Sequence, residues 1–337
     1  MSSAPDPGEI WRDAAWLVQA LDPPKRMIRV VRLAEADYRS ASFLDDRIVD
    51  AGAPAALLSW DAAAGAAPPQ SRSDARWIFH TGHSGSTLVS RLLGELASVL
   101  AIREPRSLRD LTFFSTDVRA EFIPPLRALM SRTFGDQQTA VVKATSMVGD
   151  IAAELIGGDG RALFLYVSPS AYIAGLLAGH ETRADVRRLA EYRTARLARR
   201  GIRLSGGNDS DASVAAAAWA CEMVALEANA AALSAEQILW VDFDRFLNAP
   251  DNSLERQARF LGLEAGPDEI AAIAGGPLLN RYSKAPELSF GPAARRGKIA
   301  ASLAHHRADI EAALAMLERA AQDAPLIASA LSRSSEA

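Results

Sequence analysis

Residues 80–87, His-Thr-Gly-His-Ser-Gly-Ser-Thr, put two glycines, two histidines and four hydroxyl side chains into one short stretch. Gly82 and Gly85 let a backbone come close to a ligand, and Ser84, Ser86 and Thr87 add donors that take little space. An apolar run at 77–79 precedes the stretch, and Leu88, Leu92, Leu93 and Leu96 follow at helical spacing. The pattern is strand, turn and helix. At the carboxyl end of a parallel strand such a turn offers backbone N–H groups and the positive end of a helix to an anion, so phosphate or sulfate is the fitting ligand. It departs from GxxxxGK[ST]: no lysine precedes Ser86 or Thr87 and the glycines are closer together, so ATP or GTP held by the usual lysine is not expected. The same residues also fit a helix capped by Ser84 or Ser86, with the glycines only sharpening the turn.

Further strands are predicted at TAVVKA, RALFLYV and QILWVDF, each an apolar run without clean alternation and each followed by a helical pattern. Strands of that kind are covered on both faces, which points to an α/β fold with a parallel sheet between two layers of helices. Long helices are expected at 184–200 and 212–233. Trp219, Met223 and Leu226 form a stripe for packing on the sheet, and the arginine-rich 183–203 tract reads as a solvated face. Before the turn, a helix is expected at 10–21, a strand at 27–33 and an Ala/Gly/Pro-rich linker at 51–69. The expected division is a mixed N-terminal segment over 1–75, an α/β domain over 76–325 and a flexible tail over 326–337.

With 337 residues and 49% hydrophobic content the chain can bury a sizeable core. Its one cysteine, Cys221, excludes an internal disulfide and gives no sign of a structural zinc site. An acidic, proline-containing start and the absence of a long apolar run lead to the expectation of a cytoplasmic protein that neither enters a membrane nor carries a signal peptide. A formal charge of −4 argues against general nucleic-acid binding, so any anion site must be local.

HSGSTLVSRLL resembles the turn of the sulfotransferase family, [KR]-S-G-[ST]-[ST] leading into a helix. VDFDRFLNAPDNSLERQARFLGL resembles the family's late strand, acidic loop and "FLGL" helix, and REPRSLRDL the stretch after the second strand of bacterial members. The matches run from about Trp77 to Leu263. The resemblance implies a P-loop NTPase-like fold that moves a sulfuryl group from 3′-phosphoadenosine 5′-phosphosulfate to a hydroxyl or amine of a small or glycan-like acceptor, with no metal. Gly82, His83, Ser84, Gly85, Ser86 and Thr87 would then hold the phosphosulfate. His83 stands where the family has a lysine or arginine that steadies developing charge. It either serves as a cation or only closes the turn. His80 reads as structural.

Glu104 resembles the glutamate some members use as general base; pairing with Arg103 or Arg106, or capping the next helix, is the other reading. Lys143 ends its strand at the same sheet edge, which suits a contact to a sulfuryl oxygen, as it suits simple snorkelling. Ser146 reads as a helix cap. The family's arginine and serine for the nucleotide 3′-phosphate are replaced by Val167 and Gly175. Ser168 and Ser170, then Arg183, Arg187 and Arg188, and the late Arg295, Arg296 and Gly297 are the substitutes at hand. Tyr282, Ser283 and Lys284 form a donor-rich loop suited to a lid. Two other classes compete: a magnesium-dependent P-loop kinase of a small molecule, using Asp242 or Asp244, and a non-catalytic nucleotide-binding protein.

Overall fold

The computed structural model describes residues 4–281 and 291–335. Tyr282, Ser283 and Lys284 lie outside the described residues. Among the described residues eight strands form two sheets: β1 (Trp16–Asp22), β2 (Met27–Arg32), β3 (Ala55–Ser59), β4 (Arg76–His80), β5 (Val99–Arg103), β6 (Thr139–Lys143), β7 (Ala162–Tyr166) and β8 (Ile238–Asp242). The last five make an all-parallel sheet in the order β5-β6-β4-β7-β8. β5 and β7 are buried along their whole length, as unalternating apolar runs require. The parallel, helix-flanked sheet is therefore the expected one.

Register sets the site. Arg103 pairs with Lys143, Ile78 with Lys143, and His80 with Leu165. The residues just beyond β5, β6, β4 and β7 therefore emerge side by side at one edge. The Asp211–Ala230 helix crosses the sheet as its stripe predicts: Trp219 is fully buried and its Nε1 donates to the Val167 carbonyl at 3.0 Å.

The N-terminal segment differs from expectation. The helix expected at 10–21 is a four-residue helix, Glu9–Arg12, followed by β1, because Trp16, Leu17 and Val18 pair with β2 and are buried there. The stretch read as a linker holds β3 and the Trp60–Gly65 helix, with Trp60 and Ala63 buried and the Trp11 indole donating to the Ala63 carbonyl at 2.7 Å. Composition cannot register such pairing, since the partners lie far away in sequence. β1, β2 and β3 form an antiparallel sheet whose apolar residues join those of β4 to β7 in one continuous core. The helix expected at 184–200 is two, His180–Arg188 and Ala190–Ala198, and the expected flexible tail carries the Pro325–Ser335 helix, with Ile327 and Ala330 buried. Among the described residues no helix is long and apolar enough to cross a membrane.

Arg103 joins the two sheets. Its guanidinium is wholly buried and donates to the carbonyls of Tyr38 at 2.7 Å and Ala41 at 2.8 Å, while its own carbonyl receives the Leu44 N–H at 2.7 Å. Burial holds its pKa down at about 9, a measure of how far the guanidinium is from water. Arg103→Lys keeps a cation but loses the fork, so urea melts should show a loss of about 2–3 kcal/mol. A change below about 0.5 kcal/mol would mean that the apolar contacts alone hold the N-terminal sheet.

Candidate functional site

Three residues within four adopt left-handed backbone: Gly82 (φ 76°), His83 (φ 50°) and Gly85 (φ 71°). A tight turn of this kind can direct backbone N–H groups toward an anion. Gly85 precedes the Ser86–Leu93 helix, and a Cβ there would sit 2.0 Å from the Phe243 ring, so glycine alone fits. His83 holds the same conformation with a side chain, a sparsely populated state that the flanking contacts must sustain.

His80 supplies one of them. Its Nδ1 accepts the Gly82 N–H at 2.9 Å, which places the ring proton on Nε2, 2.9 Å from the Ala144 carbonyl. The imidazole thus ties the turn to the end of β6, in keeping with a structural histidine. Ser84 is also buried, with its hydroxyl donating to the Leu165 carbonyl at 3.4 Å. It fastens the turn to β7. Gly82, His83, Gly85, Ser86 and Thr87 line a cavity of about 580 Å³ at the sheet edge, a volume suited to a small-molecule ligand.

Glu104 stands on the same cavity wall. It too has left-handed backbone (φ 57°), and its N–H donates to the Lys143 carbonyl at 2.7 Å. Lys143 is wholly buried and its ammonium is hydrogen-bonded to the Glu104 carboxylate. The lysine therefore lies behind the glutamate, outside the cavity lining, with its ammonium held on the Glu104 carboxylate. His80 Nε2 is 4.0 Å from the same carboxylate oxygen. Phe43 and Arg47 extend this wall from the N-terminal sheet's connection, with the Arg47 guanidinium 3.5 Å above the Phe43 ring. Neither was singled out in the sequence, where nothing marks them as neighbours of Glu104.

On the opposite side the late basic element is split. Arg295 and Lys298 line the cavity, and Arg295 is paired with Asp244 and lies 5.1 Å from the Phe243 ring centre. Arg296 opens onto an adjoining groove, and Gly297 is on neither lining. Ser168 accepts the Ala171 N–H at 3.3 Å as the cap of the Pro169–Leu177 helix, away from the cavity lining. Arg187 is paired with Asp211 and Arg188 with Asp185 at 3.0 Å, while Arg183 is 3.8 Å from Asp211. Val167 is fully buried, and its backbone carbonyl accepts the Trp219 Nε1–H.

The arginine-rich tract is only partly the solvated face expected of it. Arg196 is fully buried between Glu222 at 2.8 Å and Asp150 at 2.6 Å, and Arg193 is buried with its guanidinium 3.5 Å from Glu222. Arg193 reaches the cavity wall beside Tyr172, which is also buried. The two arginines sit three apart, a helical spacing that hints at one shared face, but their buried carboxylates come from elsewhere in the chain.

No family model and no curated protein matches the chain. Among solved structures it is similar to the sulfotransferase domain from the curacin biosynthetic pathway, at 15% identity over 66% of this chain and 86% of that one, with a TM-score of 0.40. It is also similar to the sulfotransferase domain from the Synechococcus PCC 7002 olefin synthase, at 13% identity over 71% and 97%, with a TM-score of 0.38. A third is mouse sulfotransferase SULT7A1 complexed with PAP, at 9% identity over 77% and 89%, with a TM-score of 0.43.

Burial pushes Asp150 upward, but Arg196 and Arg200 outweigh it and hold the carboxyl below its usual value. A depressed carboxyl contributes stability above its unfolded pKa, and that stability is lost as pH falls through the lower folded value. Asp150→Asn should therefore lower stability at neutral pH by about 3–5 kcal/mol and flatten the acid limb of the stability curve below pH about 4. An unchanged acid limb in chemical denaturation would show that other carboxylates dominate it.

Proposed function

We propose that this chain is a sulfotransferase-like enzyme that moves a sulfuryl group from 3′-phosphoadenosine 5′-phosphosulfate to a hydroxyl or amine of a small or glycan-like acceptor. The observation that carries it is the left-handed turn at Gly82, His83 and Gly85 facing the same cavity as Glu104. A concavity of N–H groups suits the 5′-phosphosulfate, and Ser86 and Thr87 add hydroxyl donors at the helix start. Arg295 and Lys298, which line the same cavity, would meet the nucleotide's 3′-phosphate in place of an arginine at Val167.

In this reading Glu104, held by buried Lys143, takes the proton from the acceptor as the new bond to sulfur forms. The bond from sulfur to the bridging oxygen breaks, and adenosine 3′,5′-bisphosphate leaves. Such transfers need charge stabilisation more than covalent help, and His83 at the tip of the turn is the group available to donate to the departing oxygen. A magnesium-dependent kinase is less well served. Asp242 caps the Phe243–Asn248 helix through the N–H groups of Asp244 at 2.7 Å and Arg245 at 3.0 Å, and Asp244 is committed to Arg295.

Adenosine 3′,5′-bisphosphate should bind whether or not magnesium is present, and Ser86→Ala should weaken it about tenfold, equal to ~1.4 kcal/mol. Glu104→Gln should leave that affinity intact while slowing sulfuryl transfer about 10²–10⁴-fold. Calorimetry and single-turnover assays read both. Binding of ATP only with magnesium would replace this reading with the kinase, and bisphosphate binding with no transfer to any acceptor would make the chain a binding protein.

A further inference from the structure

A charge cluster lies behind the cavity: buried Arg193 and Arg196 meet buried Glu222, Arg196 also meets the partly exposed Asp150, and the partly exposed Arg200 shares that carboxylate. Cys221 adds no charge to it, since burial pushes its thiol up to about 12 and keeps it protonated. Within the cluster Arg193 Nε, Arg196 Nη2 and Glu222 Oε2 make no hydrogen bond, although all are shielded from solvent. The 3.5 Å approach of Arg193 Nε to Glu222 is a charge contact only. Of these five residues, Arg193 is the one on the cavity wall.

Tyr172 adds a second unmet donor at the same wall. Its side chain is 2% exposed, its hydroxyl has no hydrogen-bond partner, and it lines the cavity with its ring edge-on to His83, centroids 6.2 Å apart. The hydroxyl lies 3.9 Å from where a Cβ on Gly82 would be, with Ser146 Oγ 3.5 Å from the same point. It therefore adjoins the phosphate turn without belonging to it. A buried phenol with no acceptor is destabilising where phenylalanine would fill the same space. Burial raises its pKa against the opposing pull of Arg193, so the group stays a donor. Glu181 and Asp185 also line the cavity, but both are exposed to water and Asp185 is paired with Arg188.

We propose that Tyr172 and Arg193 form a second oxyanion subsite beside the turn, and that it receives an anionic group, carboxylate or sulfate in class, carried by the acceptor. This selects acidic acceptors over neutral ones. The subsite rests on the sulfotransferase reading only in giving the anion to an acceptor; the unmet donors of Tyr172 and Arg193 stand without it.

Inorganic sulfate is the probe, titrated by thermal shift into the full chain saturated with adenosine 3′,5′-bisphosphate. Tyr172→Phe should weaken sulfate at least fivefold and Arg193→Gln at least tenfold, with the bisphosphate affinity unchanged within twofold. Tyr172→Phe should also leave the ligand-free melting temperature equal or higher, which separates a binding role from a structural one. Should Arg193→Gln fail to fold, Tyr172→Phe decides alone. Sulfate should bind as well when the protein is saturated with the phosphosulfate nucleotide; competition there would give the subsite to the donor's sulfuryl group and overturn the assignment. Unchanged sulfate affinity in Tyr172→Phe would overturn it too. If the bisphosphate does not bind the native chain, the sulfotransferase reading fails, and sulfate on the nucleotide-free protein tests the subsite: dependence on Tyr172 supports it, dependence on Ser86 alone overturns it.

Discussion

Five strands running in one direction bring four chain ends to a single edge, and the turn, Glu104 and Lys143 meet because of that. His80 and the turn leave β4 there, Glu104 leaves β5, Lys143 ends β6, and Val167 follows β7. Hydrogen bonds between these ends then fix what the strands have brought together. The Glu104 N–H reaches the Lys143 carbonyl, and the His80 ring bridges Gly82 to Ala144. An antiparallel arrangement would send half of these groups to the opposite edge.

Left-handed backbone recurs at the same edge. Of the non-glycine residues with positive φ, His83 and Glu104 are both on the cavity wall. Such conformations persist only where the surroundings impose them, and here the surroundings are visible: Ser84 and His80 on one side, buried Lys143 on the other. The cavity is thus assembled from strained but braced positions. The N-terminal sheet shares in the bracing through Arg103, whose carbonyl and guanidinium both hold the chain on either side of Phe43.

Buried charge is the second theme. Lys143 with Glu104 and the cluster around Arg196 place ions where desolvation is costly, and such pairs contribute little net stability compared with apolar packing. Their value lies in position. Lys143 fixes Glu104 at the wall, and the arginine cluster sets Arg193 on the lining of the same cavity.

The strand-turn-helix at 76–93 was legible because glycine, serine and helical leucine spacing are local properties. So was the buried parallel sheet, since apolar runs without alternation need cover on both faces. The sequence by itself also determined that an anion site had to be local, given the negative net charge. What only the tertiary structure decided was partnership. Lys143 and Glu104 are 39 residues apart, and Arg196 and Glu222 are 26 apart; no periodicity links them. β3 looked like a linker because its strand character comes from pairing with β2, and that the Tyr172 hydroxyl has no partner shows only once the chain is packed. Local chemistry is written along the chain, whereas which charge meets which is fixed only when distant segments pack together.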